Sequence, residues 1–414
     1  MTIFNPVWKV EIQGVEYTTY ILSNLTITSG RNNIYQQAQA GYCNIELINL
    51  NQAIVNININ DSVSISLQDS TSTFVPIFGG TVVDSGIEII TAGSVGINQI
   101  LRITALGALS RLPKALTDGV LAKAYDGDQI YEALQDLLLN NWGEVPAALT
   151  WASYDPTETW ANAENVGLGE IDRPGDYELA ARTSDRTDIY SLVAALATSG
   201  LGYIYEDASG LISYADSTHR SQYFAANGYT EVTANQAIFD GLKIQTRAGD
   251  VRNDITLKYD INGSSEVSAV DTDSITSYGR LAQIISTTVK SAIDAQSQAD
   301  FYLSLRATPQ ANLESITFQL TNPELDDGDR DSLINVFMGL PLLISDLPIN
   351  MGAIFQGFVE GWTFKAAYNE LAVTLNLSPV SYSLQAMKWE NVNPAESWNT
   401  ISGTLTWDTA LVVA

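Results

Sequence analysis

From Val7 to about Leu109, apolar and polar residues alternate with a period of two. Only extended strands place residues i, i+2 and i+4 on one face, so this pattern commits the first quarter of the chain to β-structure. Trp8, Val10 and Ile12 alternate with Lys9, Glu11 and Gln13; Val55, Ile57 and Ile59 alternate with Asn56, Asn58 and Asn60. Beyond the Asn60-Asp61 break, Val63, Ile65 and Leu67 alternate with serines. The spacing predicts a hairpin-rich domain that closes into a barrel or sandwich, because an open sheet of this polarity leaves edges ready to pair with other chains. Cys43 shares a strand face with Ile45 and Leu47 and reads as a small buried hydrophobe.

After Leu112 the period changes. Ile130, Ala133, Leu134, Leu137 and Leu138 fall on one helical face behind Asp128, and Ile189, Leu192, Val193 and Leu196 do the same before Gly200. Between them, Trp142 to Arg182 is expected to form long loops. Tyr203 and Tyr205, the Asp207–Gly210 turn, then Ile212 and Tyr214 predict a β-hairpin.

The segment from Ser277 to Phe318 reads as strand, helix and strand in one unit. Ser291 followed by Asp294 has capping-box spacing, Arg306 lies where a cation favours a helix end, and Pro309 forbids continuation. A helix is expected from Ser291 to about Thr308.

Composition narrows the chemistry. The 414 residues, 45% hydrophobic, allow more than one domain, and 47 acidic against 20 basic side chains give a net charge of −27, which argues against phosphate binding. The start lacks a basic n-region and long apolar core, and no run reaches the roughly 18 apolar residues of a membrane helix, so no signal peptide and no membrane insertion are expected. With one cysteine, Cys43, and one histidine, His219, the chain has no intrachain disulfide, no Cys/His zinc cluster and no multi-histidine metal site. His219 sits in a polar stretch without a Gly-x-Ser-x-Gly elbow. The acidic run Glu324–Asp331 lacks the glycine and distal glutamate of a calcium loop and reads as a solvated turn. No nucleotide-binding glycine motif occurs. Asp155, Glu158 and Glu164 are the best-placed carboxylates for a glycosidase, yet the reading is that the chain is not an enzyme and carries no catalytic residue, cofactor or metal.

Three groups of residues carry a resemblance to a known family. They are Tyr278, Gly279, Arg280, Arg306 and Pro309; then Asp61, Phe78, Gly80, Val82, Ala105, Gly107 and Leu112; then Phe355, Gly357, Val359, Gly361, Trp362 and Leu375–Pro379. Their order over about residues 7–382 resembles bacteriophage tail-tip or baseplate hub proteins, related to the hub part of type VI secretion spikes. The resemblance implies a mainly β fold with an α+β insertion: a first tail-tube-like β-barrel at 1–112, completed by about 215–244, a helical and hairpin insertion domain at 113–214, a second tube-like barrel at 245–382, and a Trp-containing arm or hairpin at 383–414. It further implies a structural virion protein made in the bacterial host cytoplasm. Its homotrimer would join the hexameric tail tube or distal tail ring to the tip, line the DNA channel without gripping DNA, and contact tape-measure and tip or fibre proteins. A hexameric distal tail ring is an alternative, as is a carbohydrate-binding adhesin using Trp142, Trp151 and Trp160. In the terminal segment Trp389, Trp398 and Trp407 stand at nine-residue intervals, either in a hairpin packed on its own barrel or as anchors on a neighbouring subunit.

Overall fold

The computed structural model describes residues 4–380, apart from 18–19, 51–53, 94–95, 141–161, 166–167, 235–242, 246–249, 310–311, 350–351 and 368–369. The period-two segment forms β1 (Trp8–Ile12), β2 (Val15–Glu16), β3 (Ile21–Gly30), β4 (Gln39–Asn49), β5 (Ser62–Gln68), β6 (Phe74–Gly93) and β7 (Gly96–Leu106). Inward positions follow the alternation: Val10 and Ile12, then Cys43, Ile45 and Leu47, then Val63, Ile65 and Leu67 are all buried. The expected strand over Val55–Ile59 does not form. There Asp61 accepts a hydrogen bond from the Asn58 N–H, and the backbones of Asn60 and Asp61 bond instead to Val82, so the chain turns where the pattern alone would extend it.

A short 3₁₀ turn over Ala108–Lys114 leads into the mixed middle segment. It comprises β8 (Leu116–Thr117), β9 (Ala124–Tyr125), α1 (Asp126–Asn140), β10 (Asn162–Asn165), β11 (Leu168–Ile171), β12 (Glu178–Leu179), β13 (Thr187–Asp188), α2 (Ile189–Ser199), β14 (Tyr203–Glu206), β15 (Ile212–Ala215) and α3 (His219–Asn227). Both helices expected here are present, and Asp188 caps α2 by accepting from the Ser191 N–H. The region expected to be loops contributes β10 and β11 to a sheet of order β10-β11-β15-β14. In the β14–β15 hairpin, residues of both faces are buried, because α2 and the strands β3 and β4 all pack against it.

The last third contains β16 (Thr230–Thr233), β17 (Lys243–Gln245), β18 (Asp254–Tyr259), β19 (Ser265–Val270), α4 (Thr272–Tyr278), β20 (Ala282–Ser286), α5 (Ala292–Arg306), β21 (Asn312–Gln319), α6 (Asp327–Ile334), β22 (Pro341–Ser345), β23 (Phe355–Ala367) and β24 (Glu370–Pro379). Ser291 caps α5 by accepting from the N–H groups of Ile293 and Asp294, as its spacing requires. The strands flanking α5 belong to different sheets. β20 lies in a three-stranded sheet of order β19-β18-β20, across which α5 packs through Ala295 and Ala299, whereas β21 joins the large sheet. The acidic run is not a free turn either: Asp326 caps α6, and Arg330 is buried, donating to the carbonyls of Leu320 and Leu325 and to the Asp327 carboxylate.

The architecture is mainly β, with the α+β segment between the two strand-rich regions. One 13-stranded sheet runs through both, because β23 pairs antiparallel with β3, Gly361 opposite Gly30 and Ala367 opposite Asn24. Among the described residues the strands do not close into a barrel. At this joint Gly30 has φ +84°, and a Cβ there would stand 2.4 Å from the Glu360 carbonyl oxygen and 2.5 Å from the Gly361 Cα. Gly30→Ala is therefore expected to destabilise the protein by at least about 1–3 kcal/mol through backbone strain and overlap. Gly86→Ala, where nothing lies within 4 Å, should change stability by less than about 0.5 kcal/mol. Urea unfolding of the two variants checks this difference.

Candidate functional site

β23 carries a bulge at the joint: it pairs Val359 with Leu377 and Gly361 with Asn376, skipping Glu360. A bulge re-aims the extra side chain, and here it turns a carboxylate into the interior. Glu360 is fully buried. Arg31, immediately after β3, donates from Nε to Glu360 Oε2 at 2.6 Å, and Arg220 of α3 donates from its two terminal nitrogens to Oε1 and Oε2 at 2.8 and 2.9 Å. The Ser378 hydroxyl, near the end of β24, also donates to Oε1. The Arg220 guanidinium lies 4.6 Å from the Tyr203 ring centre and that of Arg31 lies 5.2 Å from it. Burial alone would raise the pKa of Glu360, but Arg220 and Arg31 outweigh it and hold the carboxyl at about 2. One ion cluster thus joins the first strand segment, the middle segment and the last two strands.

A second junction lies at β14. The Glu206 carboxylate accepts from the Gly41 N–H at 2.8 Å and from the Leu109 N–H, and a Cβ on Gly107 would come within 2.0 Å of it. The β14–β15 turn sits on β6 at Gly79, where a Cβ would be 2.1 Å from the Ser209 carbonyl oxygen. Gly79 and Gly107 therefore form the seat on which the middle segment docks. Burial raises the Glu206 pKa to about 7, against the opposing pull of the two N–H donors.

Inside the middle segment, Asp126 accepts from the Tyr177 N–H at 2.9 Å and from the Tyr214 hydroxyl, and burial raises its pKa to about 7. His219, in its polar stretch of sequence, begins α3 and is buried; its Nδ1 lies 2.7 Å from Asp172 Oδ2. Ser217, two residues earlier, donates to Asp176. The histidine stands edge-on to Tyr203, 6.4 Å between ring centres. These contacts orient α3 and the hairpin. Among the described residues no group of three or more His, Cys, Asp or Glu side chains is placed to hold a metal ion.

A cleft of about 320 Å³ opens beside the ion cluster. Arg31, Tyr203 and Arg220 line it from one side; Tyr35 and the unit formed by β20 and α5, with Ile284, Tyr302 and Leu305, line it from the other. Arg306 stacks 4.3 Å over Tyr35 and donates to Gln283 Oε1 and the Asp250 carbonyl, which holds that wall together.

Of the residues singled out in sequence, Trp389, Trp398, Trp407, Trp142, Trp151, Trp160, Asp155 and Glu158 lie outside the described residues, and Glu164 falls on β10. Cys43 is buried on β4. Gly279, with φ +78°, ends α4, and Arg280 pairs with Asp254 at 3.3 Å. Arg31, Arg220, Glu360 and Glu206 were missed. The signal was there in Phe355–Phe364, where Glu360 is the one acidic residue in a run of apolar, glycine and polar neighbours.

Two stability measurements test this assignment. Glu360→Gln keeps the volume but leaves two buried guanidinium groups without their counter-charge, so a loss on the order of 3–5 kcal/mol in chemical denaturation is expected. For the carboxyls raised by burial, the folded chain holds protons between about pH 4.5 and 7 that the unfolded chain has released. Stability therefore falls as pH rises through that window and levels off above it. Glu360 acts in the opposite sense, but only as pH falls from its ordinary 4.5 towards about 2. Thermal scans from pH 5 to pH 8 should show a declining Tm, with a shallower decline in Glu206→Gln, which cannot ionise.

No family model and no curated protein matches the sequence. Among solved structures, the 43 kDa tail protein of prophage MuSo2 from Shewanella oneidensis matches with a TM-score of 0.53 at 11% identity, covering 91% of this chain and 99% of that one. A tail protein from Neisseria meningitidis matches with a TM-score of 0.57 at 12% identity, covering 92% and 98%. An E. coli component of the type VI secretion system, described as similar to bacteriophage T4 tail proteins, gives a TM-score of 0.45 at 12% identity over 91% of this chain and 78% of that one, too low to carry weight. Over nearly its whole length this chain thus has the fold of these two tail proteins.

Proposed function

We propose that the chain is a structural virion protein of a bacteriophage tail, a trimeric hub at its distal end. The observation that carries this reading is the fold likeness to two tail proteins, one of them from a prophage, which takes in at least 91% of this chain and 98% of each of theirs. The geometry of the sheet supports the hub in particular. Its two strand-rich regions, meeting at β3 and β23, supply two tube-like units per chain, completed as barrels in the assembly, so three copies present six such units in quasi-sixfold symmetry to a hexameric tube while the ring keeps threefold symmetry towards a tip. The distal tail ring, tape-measure and tip proteins are its partners. Trp398 and Trp407 of the terminal arm anchor on a neighbouring subunit.

The ring lines the channel through which DNA leaves. A lumen that gripped phosphates through several Lys or Arg contacts would hold the genome at moderate salt, whereas an acidic wall repels the backbone and lets it slide. A net charge of −27 supplies acids for such a wall. In a reconstruction of the purified assembly, three copies of the chain are expected around a lumen of net negative charge. Six equivalent copies in one ring would refute the hub, and a lumen lined mainly by Lys and Arg would refute the sliding channel.

A further inference from the structure

We propose that the cleft beside the Arg31–Glu360–Arg220 cluster is the seat of the chain's own C-terminal segment, residues 381–414, with Trp389 as the inserted side chain. This rests on the reading of that segment as an arm and adds where the arm is rooted.

The path of the chain leads there. β24 ends with Ser378 bonded to Glu360, whose two arginines line the cleft, and with Pro379 paired to Gly357, so residue 381 follows three positions after a direct contact of the cluster that borders the cleft. Trp389 stands nine residues after Val380, a stretch that spans at most about 30 Å. A tether of that length lets the chain turn back towards Ser378 and the arginines beside it, and Trp389, nearest of the three tryptophans in sequence, would have the highest effective concentration there.

The chemistry of the walls fits an indole. Ile284 on β20 is 65% exposed and Tyr35 is 39% exposed, both on a concave surface backed by Tyr302 and Leu305. Cations sit beside them, and an indole is the aromatic ring that gains most from a neighbouring guanidinium. The volume of about 320 Å³ is at the small end of the roughly 300–1,000 Å³ that encloses whole ligands, which suits one large side chain and its neighbours. The ion cluster has two guanidinium groups for one carboxylate, and Trp389 is flanked by Lys388 and Glu390, so the segment brings no net charge to the arginines. Asp216 also lines the cleft, but its Oδ1 is taken up by the N–H groups of Thr218 and His219 and by the Thr218 hydroxyl. Rooted at Trp389, the arm still has Trp398 and Trp407, nine and eighteen residues further on, to reach a neighbour.

The test is cross-linking in the full-length chain. Ile284→Cys combined with Lys388→Cys, which leaves the Trp389 indole in place, is treated with a short bismaleimide; the native Cys43 is fully buried and, with burial raising its pKa, stays unreactive. A mixture of isotopically light and heavy protein then separates links within one chain from links between chains by mass. An intrachain 284–388 link, at least tenfold more abundant than a 284–407 link in the matching Ile284→Cys/Trp407→Cys control, is expected. Links only between chains, or no 284–388 link, would overturn the proposal. Deleting residues 388–414 tests the arm separately: if the truncated chain still enters tails unchanged, the arm reading fails, whereas failure to assemble without a 284–388 link leaves the arm standing and removes only its seat.

Discussion

The buried carboxylate of Glu360 is the point on which the arrangement of this chain depends. It is drawn inward by a bulge, and its two oxygens are shared among Arg31, Arg220 and Ser378, which belong to three segments far apart in sequence. An ion cluster so deeply buried adds little net stability over apolar packing, because each ion costs several kcal/mol to dehydrate. What it adds is selectivity. Any packing that brings together two of the three segments and misplaces the third leaves a charge buried without its partner, so few alternative orientations of α3 on the sheet are tolerated.

The junction at Glu206 works on the same logic with different chemistry. Here a single carboxylate of the hairpin finds backbone N–H groups on β4 and on the 3₁₀ turn, and glycines clear the space. Gly107 and Gly80 were singled out in the sequence, and Gly79 adjoins the second of them. Gly107 and Gly79 are therefore tied to the docking of the middle segment, not only to the sheet in which they lie. Two separate polar junctions, at opposite ends of β14 through Tyr203 and Glu206, fix the middle segment to the sheet.

The helix α5 completes the frame. Its N-cap and small buried alanines let it lie close across β18 and β19, while the strand that follows it enters the large sheet. It couples the small sheet to the large one and, through Tyr302, forms a wall of the cleft. The fold therefore places an open, partly apolar groove where the small sheet, α5 and the arginines of the ion cluster converge.

Much of this was legible in the residues. The alternation in β1, β4 and β5, the caps of α2 and α5, and the β14–β15 hairpin follow from local rules of periodicity and backbone satisfaction, which act over a few neighbouring residues and so are written in the sequence itself. The failures share one cause. The strand read at Val55–Ile59 lost to hydrogen bonds from Val82, the strands flanking α5 parted into different sheets, and Glu206, Arg31, Arg220 and Glu360 gained meaning only from partners up to 329 residues away. Periodicity determines which face of a strand is buried, but not which strand lies beside it. The β3–β23 pairing and the buried ion cluster were decided by tertiary structure, because a charge can enter the interior only where distant segments supply its counter-charge.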